Sequence, residues 1–129
     1  MNIAGIGIDA TNIERFRKSA EKWGESFLRK IFTERELEYA GTRKGYFMHM
    51  AGKFAAKEAV KKALPDGARL GLNWASIEIL NGGDGKPYTV LHGKARELME
   101  EAGLTEIFVS ISHTEDLAIS NAVGVKNGS

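Results

Sequence analysis

Apolar residues recur with two different periods along the chain, and the period changes near its middle. Residues 3–9, IAGIGID, alternate apolar side chains with glycine and end on a carboxylate, which predicts a strand in close contact with a neighbour. Helical spacing then continues as far as Leu64, and alternation returns from Ala75 onward. Because helices come first and strands gather later, the pattern favours an α+β domain over a doubly wound sheet.

Local signals divide the helical half into separate helices. Thr11 or Asn12 is placed to cap a helix that Gly24 interrupts, and a shorter helix over SFLRKIF follows. Thr33 and Glu36 have the spacing of a capping box at the start of TERELEYA. The remaining elements are a long helix at about 46–64, strands at 75–80 and 88–91, a helix at 93–102, and a hairpin of strands at 107–112 and 117–125.

The length and composition indicate one globular domain. A chain of 129 residues that is 43% hydrophobic and 27% charged has room for one sizeable core, which we assign to residues 1–125, with a frayed tail at 126–129. No apolar run approaches the ~20 residues that span a bilayer, and the N-terminus lacks the charged region of a signal peptide. Cysteine is absent, which excludes disulfides and a cysteine nucleophile. We therefore expect a cytoplasmic protein.

The net charge of +1 conceals an uneven distribution. Residues 11–62 contain thirteen lysines and arginines against seven acidic residues, whereas the rest of the chain contains five against ten. A basic half suggests an anionic partner such as nucleic acid, an acidic protein or a phosphate-bearing ligand. Solvated helix faces would account for the same asymmetry.

Two carboxylates stand out as candidates for chemistry. Asp9 ends an apolar strand, where a buried carboxylate needs a cation or a hydrogen-bond donor, although an aspartate taken alone in this position is more often a turn or cap residue. Glu58 continues the helical face of Phe47, Ala51 and Phe54, and its alternative role is an ion pair with the lysine four residues later. Together the two carboxylates suit Mg²⁺, which binds one or two carboxylates with water and phosphate.

Basic side chains near these carboxylates are candidates for phosphate contacts. Lys53, Lys57 and Lys61 lie on one flank of the long helix and form either a phosphate-binding stripe or a solvated edge. His113 ends a strand before a turn, where it either binds phosphate or hydrogen-bonds within the hairpin. Lys44, in a loop before the long helix, is a further candidate.

Five motifs in order along nearly the whole chain resemble one known family. GIGIDATNIERF, FTERELEY, GKFAAKEAVKKAL, GKP and SISHTEDLAISNAV are similar to segments of the holo-[acyl-carrier-protein] synthases, the small class of 4′-phosphopantetheinyl transferases. The resemblance implies the single-domain α+β fold of these transferases, with helices packed on a small antiparallel sheet and one long central helix. It also implies transfer of the phosphopantetheine group from coenzyme A to a serine of apo acyl carrier protein, with release of adenosine 3′,5′-bisphosphate.

The resemblance assigns roles to particular residues. Asp9 and Glu58 are implied as Mg²⁺ ligands, and both act in catalysis together with Lys62. Lys53, His113 and Lys44 are implied to contact coenzyme A. Family members are typically homotrimers with sites between subunits, so His113 is expected to serve a neighbouring chain. The basic early helix, through Arg15, Arg17 and Lys18, is expected to dock the acidic carrier, with neither nucleic acid nor membrane as a partner.

Some positions depart from the family pattern, and other functions remain open. Many relatives carry arginine at the position of Lys53, and lysine cannot make the same bidentate phosphate contact. Pro65, Asp66 and Gly67 replace the usual glycine-threonine-glycine after the long helix. A non-catalytic basic module that binds nucleic acid or an acidic protein would explain the charge asymmetry but not the two carboxylates. A transferase with broader carrier specificity, including polyketide carriers, is the other alternative.

Overall fold

The computed structural model describes residues 1–41, 44–67 and 70–127. A short 3-10 helix, Trp74–Ser76, precedes the second strand. The regular elements, in chain order, are β1 Asn2–Asn12, α1 Ile13–Ile31, α2 Glu34–Gly41, α3 Tyr46–Ala63, β2 Ile77–Asn81, β3 Pro87–Leu91, α4 Gly93–Glu101, β4 Glu106–His113 and β5 Leu117–Lys126.

The strands form two antiparallel units. One sheet has the order β1-β5-β4, and the other is the β2-β3 hairpin. In the first sheet Thr11 and His113 both pair with Ala118, from opposite sides. The predicted α+β class, with helices against a small antiparallel sheet and one long helix, is therefore confirmed. None of the described helices is long and apolar enough to cross a membrane.

Helix α3 packs against β1 at a spacing that only glycine allows. A Cβ atom on Gly5 would lie 2.0 Å from the carbonyl oxygen of Ala63, and one on Gly7 would lie 2.0 Å from that of Ala59. Real Cβ contacts essentially never fall below 3.0 Å, so any side chain here would push the strand and helix apart. Alternate residues of a strand share one face, so Asp9 lies on the same side of β1 as these glycines. The GIGID motif therefore brings a carboxylate beside α3.

The predicted helix boundaries follow the local signals. The side chain of Asn12 accepts a hydrogen bond from the Arg15 backbone N–H at 2.8 Å and caps α1. Gly24 has a φ of 68° and kinks this helix, as the sequence predicts. The Thr33 N–H donates to the Glu36 carboxylate at 2.8 Å, and the Glu36 N–H donates to the Thr33 hydroxyl at 3.3 Å. The capping box is thus formed in both directions.

Two sequence expectations need adjustment at their edges. The strand predicted from Ala75 begins only at Ile77, because residues 74–76 form the 3-10 helix that Asn73 caps. Lys126, expected in the tail, is the last residue of β5 and pairs with Asn2. Residues 128 and 129 of the predicted tail lie outside the described residues. The assignment of residues 1–125 as the domain stays a prediction.

Lys57 lies in the interior, not on a basic surface. Its side chain is fully buried, and its ammonium donates to Glu36 Oε1 at 2.8 Å and to the carbonyl oxygens of Trp74 at 3.1 Å and Ile77 at 2.5 Å. Burial lowers the pKa of Lys57, whereas the adjacent Glu36 carboxylate opposes that shift. This ion pair joins α2 and α3 to the segment before the hairpin.

The interpretation of Lys53, Lys57 and Lys61 as a solvated edge is wrong. All three side chains are buried, with exposed fractions of 3%, 0% and 8%. Lys61 places its ammonium 4.6 Å from the centre of the Trp74 ring, and burial lowers the pKa of Lys61. The flank of α3 therefore holds its lysines through specific partners, because long apolar stems pack well while the charged ends reach hydrogen-bond acceptors or aromatic faces.

Candidate active site

Asp9 is held at the edge of α3 by two side chains. Lys62 donates from its ammonium to Asp9 Oδ1 at 3.3 Å and to the carbonyl oxygen of Ile8 at 2.8 Å. The Thr11 hydroxyl lies 3.4 Å from Asp9 Oδ2. The Lys62 side chain is 49% exposed and that of Asp9 21%, so the pair faces solvent on one side. Lys62 can therefore exchange part of its contact with Asp9 for a ligand phosphate.

Glu58 is oriented by an aromatic residue and not by the lysine that follows it. The indole N–H of Trp74 donates to Glu58 Oε1 at 2.5 Å. The alternative i,i+4 ion pair with Lys62 is not formed, since the ammonium of Lys62 is bonded to β1. Trp74 has no helical or strand periodicity to mark it, and the sequence interpretation missed it.

Asp9 and Glu58 line the same pocket, which has a volume of about 420 Å³. Its other walls are the polar end of β1, the beginning of α1, and an apolar side; they comprise Ala10, Thr11, Asn12, Arg15, Phe16, Ser19, Phe27, Ile31 and Phe54. A lining that combines two carboxylates with aromatic rings suits a ligand with a charged end and an apolar arm. The structure therefore brings together the two carboxylates that sequence spacing only suggested.

The remaining cofactor candidates are not in this pocket. Lys53 lies buried on α3 with its ammonium 4.8 Å from the centre of the Tyr39 ring. Lys44 is exposed just before α3 begins, and His113 is exposed at the end of β4. Because β5 lies between β1 and β4, His113 is two strand spacings, about 10 Å, from the position of Thr11. Their contact with a shared ligand stays a prediction.

The basic residues of α1 differ in whether their charged ends are exposed or already paired within the helix. Arg15 and Lys18 are exposed, and Arg15 also lines the pocket. Arg17 instead bonds within its own helix, donating to Glu14 at 3.0 Å and to Glu21 at 2.6 Å. An incoming acidic partner must compete with these two glutamates for Arg17, whereas Arg15 is free of such competition on its own helix face.

The donor set fits a hard divalent cation completed by other ligands. The described residues contain no group of three or more metal-ligating side chains. They do place two carboxylates in one pocket, and Mg²⁺ typically uses one or two carboxylates with water and substrate phosphates. Asp9 and Glu58 are therefore the side chains that would hold Mg²⁺.

Comparison with known proteins defines the class. A family model described as the 4′-phosphopantetheinyl transferase superfamily matches residues 5–121. The chain is 46% identical over 121 residues to the holo-[acyl-carrier-protein] synthase of Geotalea daltonii, an alignment that covers 94% of this chain and 97% of the relative. Sequence and fold thus agree on a phosphopantetheinyl transferase.

Solved structures refine the class to one family. The acyl carrier protein synthase of Plasmodium yoelii, solved with ADP bound, superposes with a TM-score of 0.85 at 34% identity and 98% coverage of both chains. The enzyme of Bacillus anthracis, solved with coenzyme A (3′,5′-ADP), gives a TM-score of 0.75 at 30% identity over 97% of this chain and 98% of that one. The chain belongs to the holo-[acyl-carrier-protein] synthase family.

Proposed function

We propose that the protein transfers the 4′-phosphopantetheine group of coenzyme A to a serine hydroxyl of apo acyl carrier protein. The reaction depends on Mg²⁺, releases adenosine 3′,5′-bisphosphate, and serves fatty acid biosynthesis in the cytoplasm. The observation that carries the proposal is the shared pocket of Asp9 and Glu58 beside Lys62, in a member of this family. Holo-[acyl-carrier-protein] synthases from other organisms, solved with coenzyme A, support the choice of donor.

The chain's own residues divide the work of transfer between them. The serine hydroxyl oxygen attacks the phosphorus that bears the pantetheine arm, and Glu58 accepts the proton that this hydroxyl loses. The bond from that phosphorus to the bridging oxygen breaks, and adenosine 3′,5′-bisphosphate leaves with the electron pair. Lys62 donates to the departing phosphate and offsets its growing negative charge. Bound Mg²⁺ supplies further neutralisation of the pyrophosphate.

We propose that the active enzyme is a homotrimer in which His113 reaches the coenzyme A of a neighbouring chain, with Lys44 and Lys53 as further candidates for contact with coenzyme A. The sheet face opposite α3 presents apolar side chains to solvent: Ile6 is 67% exposed, Ile8 63% and Phe108 49%. Such a face favours burial against other copies. Sedimentation analysis is expected to give three times the 14.1 kDa of one chain, and a monomer throughout the working range would contradict the proposal.

We propose that Arg15, Arg17 and Lys18 dock the acidic carrier protein. Arg15→Glu is expected to raise the KM for apo carrier about tenfold, because attraction worth up to about 1 kcal/mol becomes repulsion. The KM for coenzyme A is expected to stay unchanged. Lys94→Glu, which makes the same charge change on the exposed face of α4, is the matched control. An Arg15→Glu protein with normal carrier KM, or with weakened coenzyme A binding, would remove Arg15 from the docking surface.

Release of adenosine 3′,5′-bisphosphate tests the reaction class. We expect the nucleotide to appear only when apo carrier, coenzyme A and Mg²⁺ are all present, and a chelator to stop its release. Release without carrier would indicate simple hydrolysis of coenzyme A. The non-catalytic binding module is not favoured, because it leaves both the paired carboxylates and the family membership without a role.

A further inference from the structure

The indole ring of Trp74 contacts two residues of α3, Phe54 and Lys61. Its ring centre is 5.7 Å from that of Phe54, with an interplanar angle of 54°, and the Lys61 ammonium lies 4.6 Å from the same indole ring centre. Its N–H points to Glu58 Oε1 at 2.5 Å. Three positions of α3 at three- and four-residue steps therefore contact one aromatic side chain.

The backbone of Trp74 is also fixed. Its carbonyl oxygen accepts a hydrogen bond from the buried Lys57 ammonium at 3.1 Å. Asn73 caps the 3-10 helix through its side chain, which accepts from the Ala75 N–H at 3.1 Å. The backbone of Trp74 is thus held in place, and a rotation of the indole that turned its N–H away from Glu58 would also disturb the ring contacts with Phe54 and Lys61.

A carboxylate on a helix surface has free rotation about its terminal torsion unless a donor holds it. Among the described residues, Trp74 is the one that donates a hydrogen bond to Glu58, and it uses only Oε1. The bond leaves Oε2 for a proton or a cation. Donors that orient a metal-binding carboxylate are commonly worth about 10- to 100-fold in metal affinity or activity.

We propose that Trp74 is a positioning residue for Glu58: its indole N–H fixes Oε1, so that Oε2 is presented to the pocket shared with Asp9. The proposal rests on the proposed transfer reaction, in which Glu58 accepts the serine proton and helps to hold Mg²⁺. Trp74 touches neither substrate in this role, and it acts only through the orientation of the carboxylate.

The decisive variant removes the N–H and keeps the shape of the ring. Replacement of Trp74 by benzothienylalanine, in which sulfur takes the place of the N–H, is expected to lower kcat about 10- to 100-fold. The KM values for coenzyme A and carrier should stay within about twofold, because the packing against Phe54 and Lys61 is retained. Trp74→Phe is expected to show the same loss with an added drop in melting temperature.

The matched control is the second tryptophan, Trp23, which is 60% exposed on α1. Trp23→Phe should keep full activity. It leaves Trp74 as the single tryptophan of the chain. In that protein the indole emission is expected to change on addition of Mg²⁺, and the change should be lost when Glu58→Gln is added. This readout does not depend on turnover.

The outcomes separate the inference from the function it rests on. If the wild-type protein transfers nothing to any apo carrier, the proposed function fails. If the wild-type protein is active and the benzothienylalanine protein matches its kcat, the positioning role of Trp74 is refuted while the function stands. An active Trp23→Phe protein in which the Trp74 emission does not change on addition of Mg²⁺ would also overturn the positioning role.

Discussion

Glu58→Gln is expected to lower kcat for phosphopantetheine transfer by about 10²- to 10⁴-fold, the usual contribution of a general base. Glutamine keeps the size of the side chain and an oxygen that can accept the Trp74 N–H, so the fold should be preserved. It loses the negative charge and the basicity that the serine proton and Mg²⁺ require. Initial rates at saturating coenzyme A and carrier measure the effect.

The matched control for this variant is Glu101→Gln on α4, where the side chain is exposed. It makes the same chemical change outside the pocket and should keep full kcat. Melting temperatures of both variants should stay within a few degrees of the wild type. A Glu58→Gln protein that retains wild-type kcat would exclude Glu58 as the base.

Lys57→Met is expected to lower the free energy of unfolding by about 3–5 kcal/mol, because it leaves the buried Glu36 carboxylate without its cation. Two backbone carbonyls, of Trp74 and Ile77, lose a donor at the same time. Denaturant unfolding followed by circular dichroism measures the change. Since one of these carbonyls belongs to Trp74, the variant should also lower kcat.

Two further variants test the cause of the stability loss in Lys57→Met. Lys94→Met, on the exposed face of α4, should change stability by no more than about 0.5 kcal/mol. Glu36→Gln added to Lys57→Met removes the unpaired charge and keeps one acceptor oxygen, which can serve either the Thr33 or the Ile79 N–H group, and it should recover part of the loss. A single Lys57→Met variant as stable as the wild type would show that the Lys57–Glu36 ion pair makes no net contribution to the free energy of unfolding.

The elements that local chemistry specifies could be predicted from the sequence. Asn12, Gly24 and the Thr33–Glu36 box act on backbone groups within a few residues, so their effect does not depend on the rest of the fold. The alternation of IAGIGID indicates close backbone approach directly, and Gly7 bears this out. Asp9 and Glu58 were found because a carboxylate on an apolar face is unusual in either element.

The partners of side chains distant in sequence could not be predicted in the same way. Helical spacing places Lys57 on a flank of α3, but it does not reveal that Glu36 arrives there from α2, 21 residues earlier. Trp74 is likewise 16 residues from Glu58 and lies in a 3-10 turn without periodicity. Lys44 and His113 do not line the pocket of Asp9 and Glu58 in this chain, and their contact with coenzyme A stays a prediction.

The mass of the carrier protein tests the central claim most directly. An apo acyl carrier protein incubated with this protein, coenzyme A and Mg²⁺ is analysed by intact mass spectrometry and then by peptide mapping. We predict a mass increase of one phosphopantetheine group, located on a single serine and absent from a carrier with that serine replaced by alanine. No mass increase with any of several bacterial-type apo carriers, under conditions where a known holo-[acyl-carrier-protein] synthase modifies them, would contradict the account.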